Sequence, residues 1–279
     1  MTYQNDTDPF PGGAPDKQVG PVFGFAEFWP KVYGQFNRQF EAIADLMRLG
    51  DEMVKTAEEG AAEPVKNVIC ALASATMAGA CEALLLSGNG CGMGAMKIVR
   101  GMYESRWTAE YLRRHPKETE DYIEFSKVIL WRRLEWLQGH DPSNANVIDS
   151  SVKSKVEDDF DQVKARFPDG RGKVRFQWSK KSIRAIAKEI GREKEYDLPY
   201  AIACSIHHGN FEGLSAHFAF EDGEITRDPP PSRAWVRTAL LAVHVNLWFV
   251  LGTLNDSCGL NFHETLDDAH NVLVNVWKR

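Results

Sequence analysis

Several side chains in this sequence stand at spacings that could do chemistry. Arg100 and Glu104 are four residues apart, the interval at which two side chains share one face of a helix. Trp107 and Tyr111 continue that stripe, and the apolar neighbours Ile98, Val99 and Met102 predict partial burial. A buried guanidinium needs acceptors and a buried carboxylate needs donors. An arginine held by Glu104 could receive a phosphate or a carboxylate. The competing reading is an intrahelical ion pair that fixes helix register. Ser205 and His208 are three residues apart, with His207 beside them and Tyr200 upstream. His208 could act as a general base because imidazole titrates near neutrality, with Ser205 as its orienting partner or as a nucleophile. The chain lacks a GxSxG elbow, which disfavours a hydrolase of that type. The competing reading is a polar cluster in the core, with His208 bonding a carbonyl or Glu104 across a bundle. Arg100, Glu104, Tyr111 and Tyr200 are thus candidate ligand-binding residues, and Ser205 and His208 candidate catalytic ones.

Arg237 and His244 are seven residues apart, two helical turns, and so lie along one face. This spacing weakly resembles the loose Arg-x4-6-His pattern of HEPN-type helical ribonucleases. The resemblance implies a metal-independent cleavage in which histidine moves the proton of a ribose 2′-OH and arginine neutralises the phosphorane. The usual pattern has a polar residue directly after the arginine, and Thr238 fits it only loosely. The plainer reading makes His244 a satisfied core residue and Arg237 a surface charge. Two further sets have donor spacing for a metal: His207 or His208 with Glu212 and His217, and His263 with Asp267 and His270. Neither matches HExxH, and Gly209 and Gly213 weaken helix continuity in the first. The chain is read without metal or cofactor.

The charge balance limits the partners. Thirty-three Lys and Arg against thirty-nine Asp and Glu leave a net charge of −6, which argues against a dedicated duplex-DNA binder. Local basic clusters remain at Arg113–Arg114–His115, at Arg132–Arg133 and in RGKVRFQWSKKSIR, where Phe176 and Trp178 interleave with the charges. The last could grip RNA through phosphates and stacking, or be a solvated loop whose Trp178 anchors the next helix. The five cysteines are odd in number and show no CxxC pair, so reduced thiols in a cytoplasmic protein are expected. The first 20 residues carry no signal-peptide pattern and read as a flexible arm. The run Val68 to Leu86 could mimic a membrane span, but Glu82 and frequent small residues argue for a buried helix and no membrane partner.

The elements that must position these residues are nearly all helical. Phe25, Phe28, Val32, Phe36, Phe40, Ile43, Leu46 and Met47 recur at three- and four-residue steps. An apolar helix follows from Val65 to the SGNG turn, with Gly88 expected as its left-handed C-cap. Another covers about Met93 to His115, and a fourth starts near Glu118 and ends at Gly139. Asn146 to Phe167 reads as a charged, solvated helix, and PDGRGK as a loop. Ser179 is expected to cap KKSIRAIAKEIG. A long apolar helix spans AWVRTALLAVHVNLWFVLGTL, and a last amphipathic one about His263 to Trp277. The expectation is an all-α bundle of roughly eight to ten helices, at most a short hairpin near 218–228, and a single helical domain over 21–279.

With those elements in place, several residues together resemble a bacterial all-helical group, domain of unknown function family 5677. The resemblance rests on LLLSGNGCGMGAMKIVRGMYESRWTAEYLRRHP, with Arg100, Glu104, Tyr111 and Leu112, then on W-S-x-x-S-I-R-x-x-A in Trp178 to Ala187, Tyr196, Tyr200, and Ser205-x-x-His208-Gly209. It covers about Cys70 to Leu214. It implies a helical fold and supplies no activity. Two function classes stand: a binding or interaction module for a small anion or a protein partner, and a HEPN-like ribonuclease acting on RNA. A homodimer would suit the apolar helices.

Overall fold

The computed structural model describes residues 27–60, 63–141, 143, 146–215, 218–221, 224–227 and 235–278. The arm expected over 1–20 lies outside the described residues, as does His217.

Nine helices of seven or more residues dominate the described residues: α1 (Trp29–Gly60), α2 (Pro64–Gly88), α3 (Gly92–Arg114), α4 (Thr119–His140), α5 (Ser150–Val163), α6 (Ile183–Glu189), α8 (Ala201–His208), α10 (Val236–Cys258) and α11 (His263–Trp277). Two short ones, α7 (Glu193–Glu195) and α9 (Phe211–Ser215), interrupt the series. Strands β1 (Phe218–Glu221) and β2 (Glu224–Arg227) form the antiparallel hairpin expected there, with Phe218 opposite Arg227. The chain is an all-α multi-helix bundle.

α10 is apolar on nearly every side, and a helix of that kind needs neighbours all round. It has them: α1, α2, α3 and α11 pack against it, burying Leu240, Val243, Leu247, Val250, Leu251 and Leu254. Each such side chain contributes about 1.5–3 kcal/mol through water it no longer orders. Both α2 and α10 are long and apolar enough to cross a membrane, but the most apolar stretch of α10 is 67% buried inside the bundle. That of α2 is 44% buried, with Ala71, Ala75, Ala78 and Leu85 left on its outer side.

α2 and α3 form a hairpin with the largest helix–helix contact in the molecule. The left-handed residue of its turn is Gly90 (φ 69°), two positions beyond the expected Gly88. Gly88 is held to glycine for another reason: a Cβ there would stand 2.2 Å from the Trp29 ring. The cap of α6 also falls later than expected. Ser182, in extended backbone, accepts from Ala185 N at 3.2 Å, while Ser179 Oγ accepts from Lys181 N in the turn before.

α4 and α5 form an outer layer with a small core of their own, Phe125, Val128, Phe160, Val163 and Phe167. α5 is therefore not a merely solvated helix. Phe160 stacks flat on Trp131 at 3.8 Å. Arg166, just beyond α5, reaches Glu120 at 2.9 Å and Asp121 at 2.8 Å. Trp178 joins this layer to the main core, edge-on to Tyr122 at 5.2 Å and to Tyr111 at 6.0 Å.

Candidate functional site: three polar stations on one helix and a cavity

α3 is the helix on which the chemistry collects. Its outer turns are packed against the stretch from Lys181 to Cys204, which arrives through α6, α7, a five-residue π-turn and α8. Pro199 explains the π-turn, since it has no N–H to donate into an α-helical ladder. Three polar groups tie α3 to this stretch.

The first is the expected one. Arg100 Nη2 lies 2.9 Å from Glu104 Oε1, and the Tyr200 hydroxyl donates to the same oxygen at 2.5 Å. The Cys204 thiol is within hydrogen-bonding reach of both Arg100 and Tyr200. Burial, then the carboxylate of Glu104, push the Tyr200 hydroxyl well above the usual phenol range, so it stays a proton donor. The ion pair itself is partly open, with Arg100 25% and Glu104 37% exposed.

The second was not foreseen. Arg106 is fully buried and pairs with Glu195. Glu195 also receives Arg192 at 3.5 Å, and Arg192 Nε reaches Glu110 at 3.3 Å. Glu110 in turn pairs with Arg114, one helical turn on. Three guanidiniums thus share two carboxylates. Nε and Nη1 of Arg106 meet no acceptor among the described residues. The Arg106 guanidinium instead stands 5.3 Å from the Tyr103 ring, 5.8 Å from Trp107 and 4.9 Å from Phe249. Ring faces attract a cation, which partly offsets the missing acceptors. Arg192 lies on the same Phe249 ring at 4.0 Å. Burial lowers the Arg106 pKa and the Glu195 charge opposes that shift, but an arginine remains charged under any physiological condition.

The third holds Tyr111. Its hydroxyl donates to Glu118 at 2.8 Å and accepts from Lys181 at 3.0 Å. Lys181 continues to Glu189 at 2.6 Å, and Glu189 to His115 at 2.7 Å. The Glu189 carboxylate and the Tyr111 hydroxyl raise the Lys181 pKa, while Lys181 draws that of Glu189 down. Tyr111 and Arg100 are eleven residues apart on one helix, about 16 Å along its axis, so they do not share a ligand pocket.

The remaining candidates separate. His208 is exposed at the end of α8, next to left-handed Gly209 (φ 61°), and shares no ion pair with Glu104 among the described residues. It is His207 that feels the charges of Arg100 and Glu104; burial and Arg100 lower its pKa. Ser205 is buried, and its Oγ accepts from Asn210 Nδ2 at 3.3 Å. Arg237 and His244 do lie along one face, and both meet Trp277. The indole N–H donates to His244 Nδ1 at 3.2 Å, and the Arg237 guanidinium sits 5.8 Å from the ring. His244 is 1% exposed, and burial pushes its pKa down to about 4, so it is a neutral acceptor inside the bundle.

The possible metal sets do not gather either: no group of three or more His, Cys, Asp or Glu is placed to hold an ion among the described residues. His263 meets the Asn255 amide and His270 packs on Trp248 at 4.5 Å. The basic stretch from Arg171 to Arg184 spends several charges internally. Arg175 donates to the carbonyls of Gln177 and Trp178, Lys181 is paired as above, and Arg184 pairs with Asp197 at 3.0 Å. Phe176 stays 88% exposed.

One cavity adjoins the second station. It has a volume of about 230 Å³ and lies between α3, α10 and the start of α11. Glu110, Arg113 and Arg192 line one side, Trp248 and Phe249 form the apolar wall, and Asp256, His263 and Asp267 close the far rim. Arg113 and Asp256 face each other loosely at 3.8 Å. The only local signal for this site was the Glu110–Arg114 interval. The rest comes from segments 80 to 150 residues away.

An all-α bundle, with α3 laced to a helical segment nearly a hundred residues downstream, is the class that fold and site define. The chain belongs to the family of unknown function DUF5677, whose model matches residues 66–225, more than half of the sequence. No curated protein and no solved structure matches it. The match takes in all three stations, and α10 and α11, which complete the cavity, lie beyond it.

Proposed function

We propose that the chain is a binding module for a small ligand with an anionic group, held in the cavity between α3, α10 and α11. The observation that carries this reading is Arg192. It lines the cavity, lies flat on Phe249, and shares its carboxylate partners with Arg106 and Arg114. The network therefore holds one positive charge more than negative. A phosphate or carboxylate arriving at Arg192 would balance it through a charge-assisted, two-pronged hydrogen bond. Asp256 and Asp267 on the far rim favour a ligand that also carries hydrogen-bond donors, such as hydroxyl or amino groups.

Isothermal titration with inorganic phosphate, small hydroxy acids and amino acids tests this reading. Saturable binding is expected for at least one of them. Arg192→Gln should weaken it at least tenfold while the helical circular-dichroism signal is kept, and Arg192→Lys should retain part of it. Binding unaffected by Arg192→Gln, or no heat with any of these compounds at millimolar concentration, overturns it. Cleavage of RNA is the less favoured reading: the His244 imidazole is buried and occupied by Trp277, so a proton has no route between it and a ribose.

A further inference from the structure

α4 turns an apolar face outward as well as inward. Phe125, Val128 and Leu134 are buried against the bundle, yet Ile123, Ile129, Leu130 and Trp136 are 42, 40, 50 and 57% exposed. With Leu137 they follow one side of the helix at three- and four-residue steps. A shallow groove of about 420 Å³ runs along it, lined by Ile129, Arg132, Arg133, Trp136 and Leu137. Patches of contiguous apolar side chains on a protein surface mark binding faces.

The order of residues on this face says what fits it. Ile129 and Leu130 lie at the midpoint of Thr119–His140, and Ile123 and Trp136 stand at equal distances on either side. Reversing the helix end for end puts apolar side chains on apolar ones. The charges follow the same rule. The first half holds Glu120, Asp121 and Glu124 against one Lys127, and the second holds Arg132 and Arg133 against one Glu135. An acidic half laid on a basic half is complementary only when the partner helix runs the other way, which is the symmetry of a two-fold contact.

We infer that α4 docks on α4 of a second copy of this chain, antiparallel, about a two-fold axis at Ile129 and Leu130. Ile123 of each copy then meets Trp136 of the other, and Arg133 lies beside the partner's acidic half. This surface is on the outer layer and does not depend on the proposed ligand cavity.

Sedimentation velocity on the full chain, from one to a few hundred micromolar, reads the association. A dimer is expected. Leu130→Glu and Trp136→Glu should each raise its dissociation constant at least tenfold, with the melting temperature of the folded chain kept. Arg133→Glu should weaken it, and adding Glu124→Arg should restore it, because charges exchanged across the axis match again. In mixed copies, Ile123→Cys and Trp136→Cys should give an oxidative cross-link absent from wild type. A wild-type monomer throughout the range overturns the inference, including one that binds phosphatidylglycerol vesicles through this face. A dimer that survives both glutamate substitutions overturns it too. Failure of the charge exchange to restore association overturns the antiparallel arrangement.

Discussion

Two charged groups sit six residues apart on α3 and differ in almost everything except their chemistry. Arg100–Glu104 is an i, i+4 pair, partly open to water, with one tyrosine added from α8's approach. Arg106 has its carboxylate partner from 89 residues away, no solvent at all, and three aromatic rings around it. In water the first kind of pair is worth little, because solvent competes for both partners. In the interior the same attraction is strong but so is the cost of drying the charges, and the penalty for breaking one half is larger still. The comparison teaches that spacing locates an ion pair, while burial decides how much of the structure depends on it.

The contrast can be broken most visibly at Glu195. Glu195→Ala strands the Arg106 charge in the core and is expected to cost about 3–5 kcal/mol in urea unfolding, whereas replacing Arg106 and Glu195 together by Met and Leu should cost much less. A loss from Glu195→Ala no greater than that of an exposed pair would show that the rings alone satisfy Arg106.

Next in size is the acid response of the other buried base. The His244 pKa, about 4 in the folded chain because of burial, lies below its ordinary value of 6.5. Unfolded chains then take up the proton first, so stability present above pH 6.5 is lost as pH falls toward 4. The expected loss over that window is about 3 kcal/mol, from roughly 1.4 kcal/mol per pH unit of separation. The loss should shrink in His244→Gln, and equal acid profiles for the two proteins would refute it.

At the open pair the effects are smaller. Tyr200→Phe removes one donor to Glu104 and is expected to cost about 1 kcal/mol. Arg100→Ala and Glu104→Ala, placed in a double-mutant cycle, should show a coupling of about 0.5 kcal/mol that fades in molar salt. A salt-insensitive coupling of several kcal/mol would make this group as buried in behaviour as the Arg106 network, and the comparison would fail.

Much of the framework was legible before any coordinates. Helical period alone placed α1, α2, α3, α4, α10 and α11 close to their observed bounds, because an apolar stripe must be buried and only a 3.6-residue repeat buries it. The turn chemistry was read less well: Gly88 answers to the Trp29 indole rather than to its own backbone angle, and no local pattern records a neighbour across the bundle. α5 looked solvated because Phe160, Val163 and Phe167 are few among charges, yet three apolar side chains are enough to seat it on α4. The pairing of Arg100 with Glu104, and the family-like order of Tyr200 after them, were likewise readable from residue types and intervals.

What lay beyond reach was every partnership that crosses the chain. Arg192 and Glu195 look like ordinary surface charges of a short helix until α7 is folded onto α3, and His244 looks like a base until Trp277 arrives to occupy it. Period and interval are properties of one element. Dryness, and the choice of acceptor for a buried donor, are properties of what packs on it.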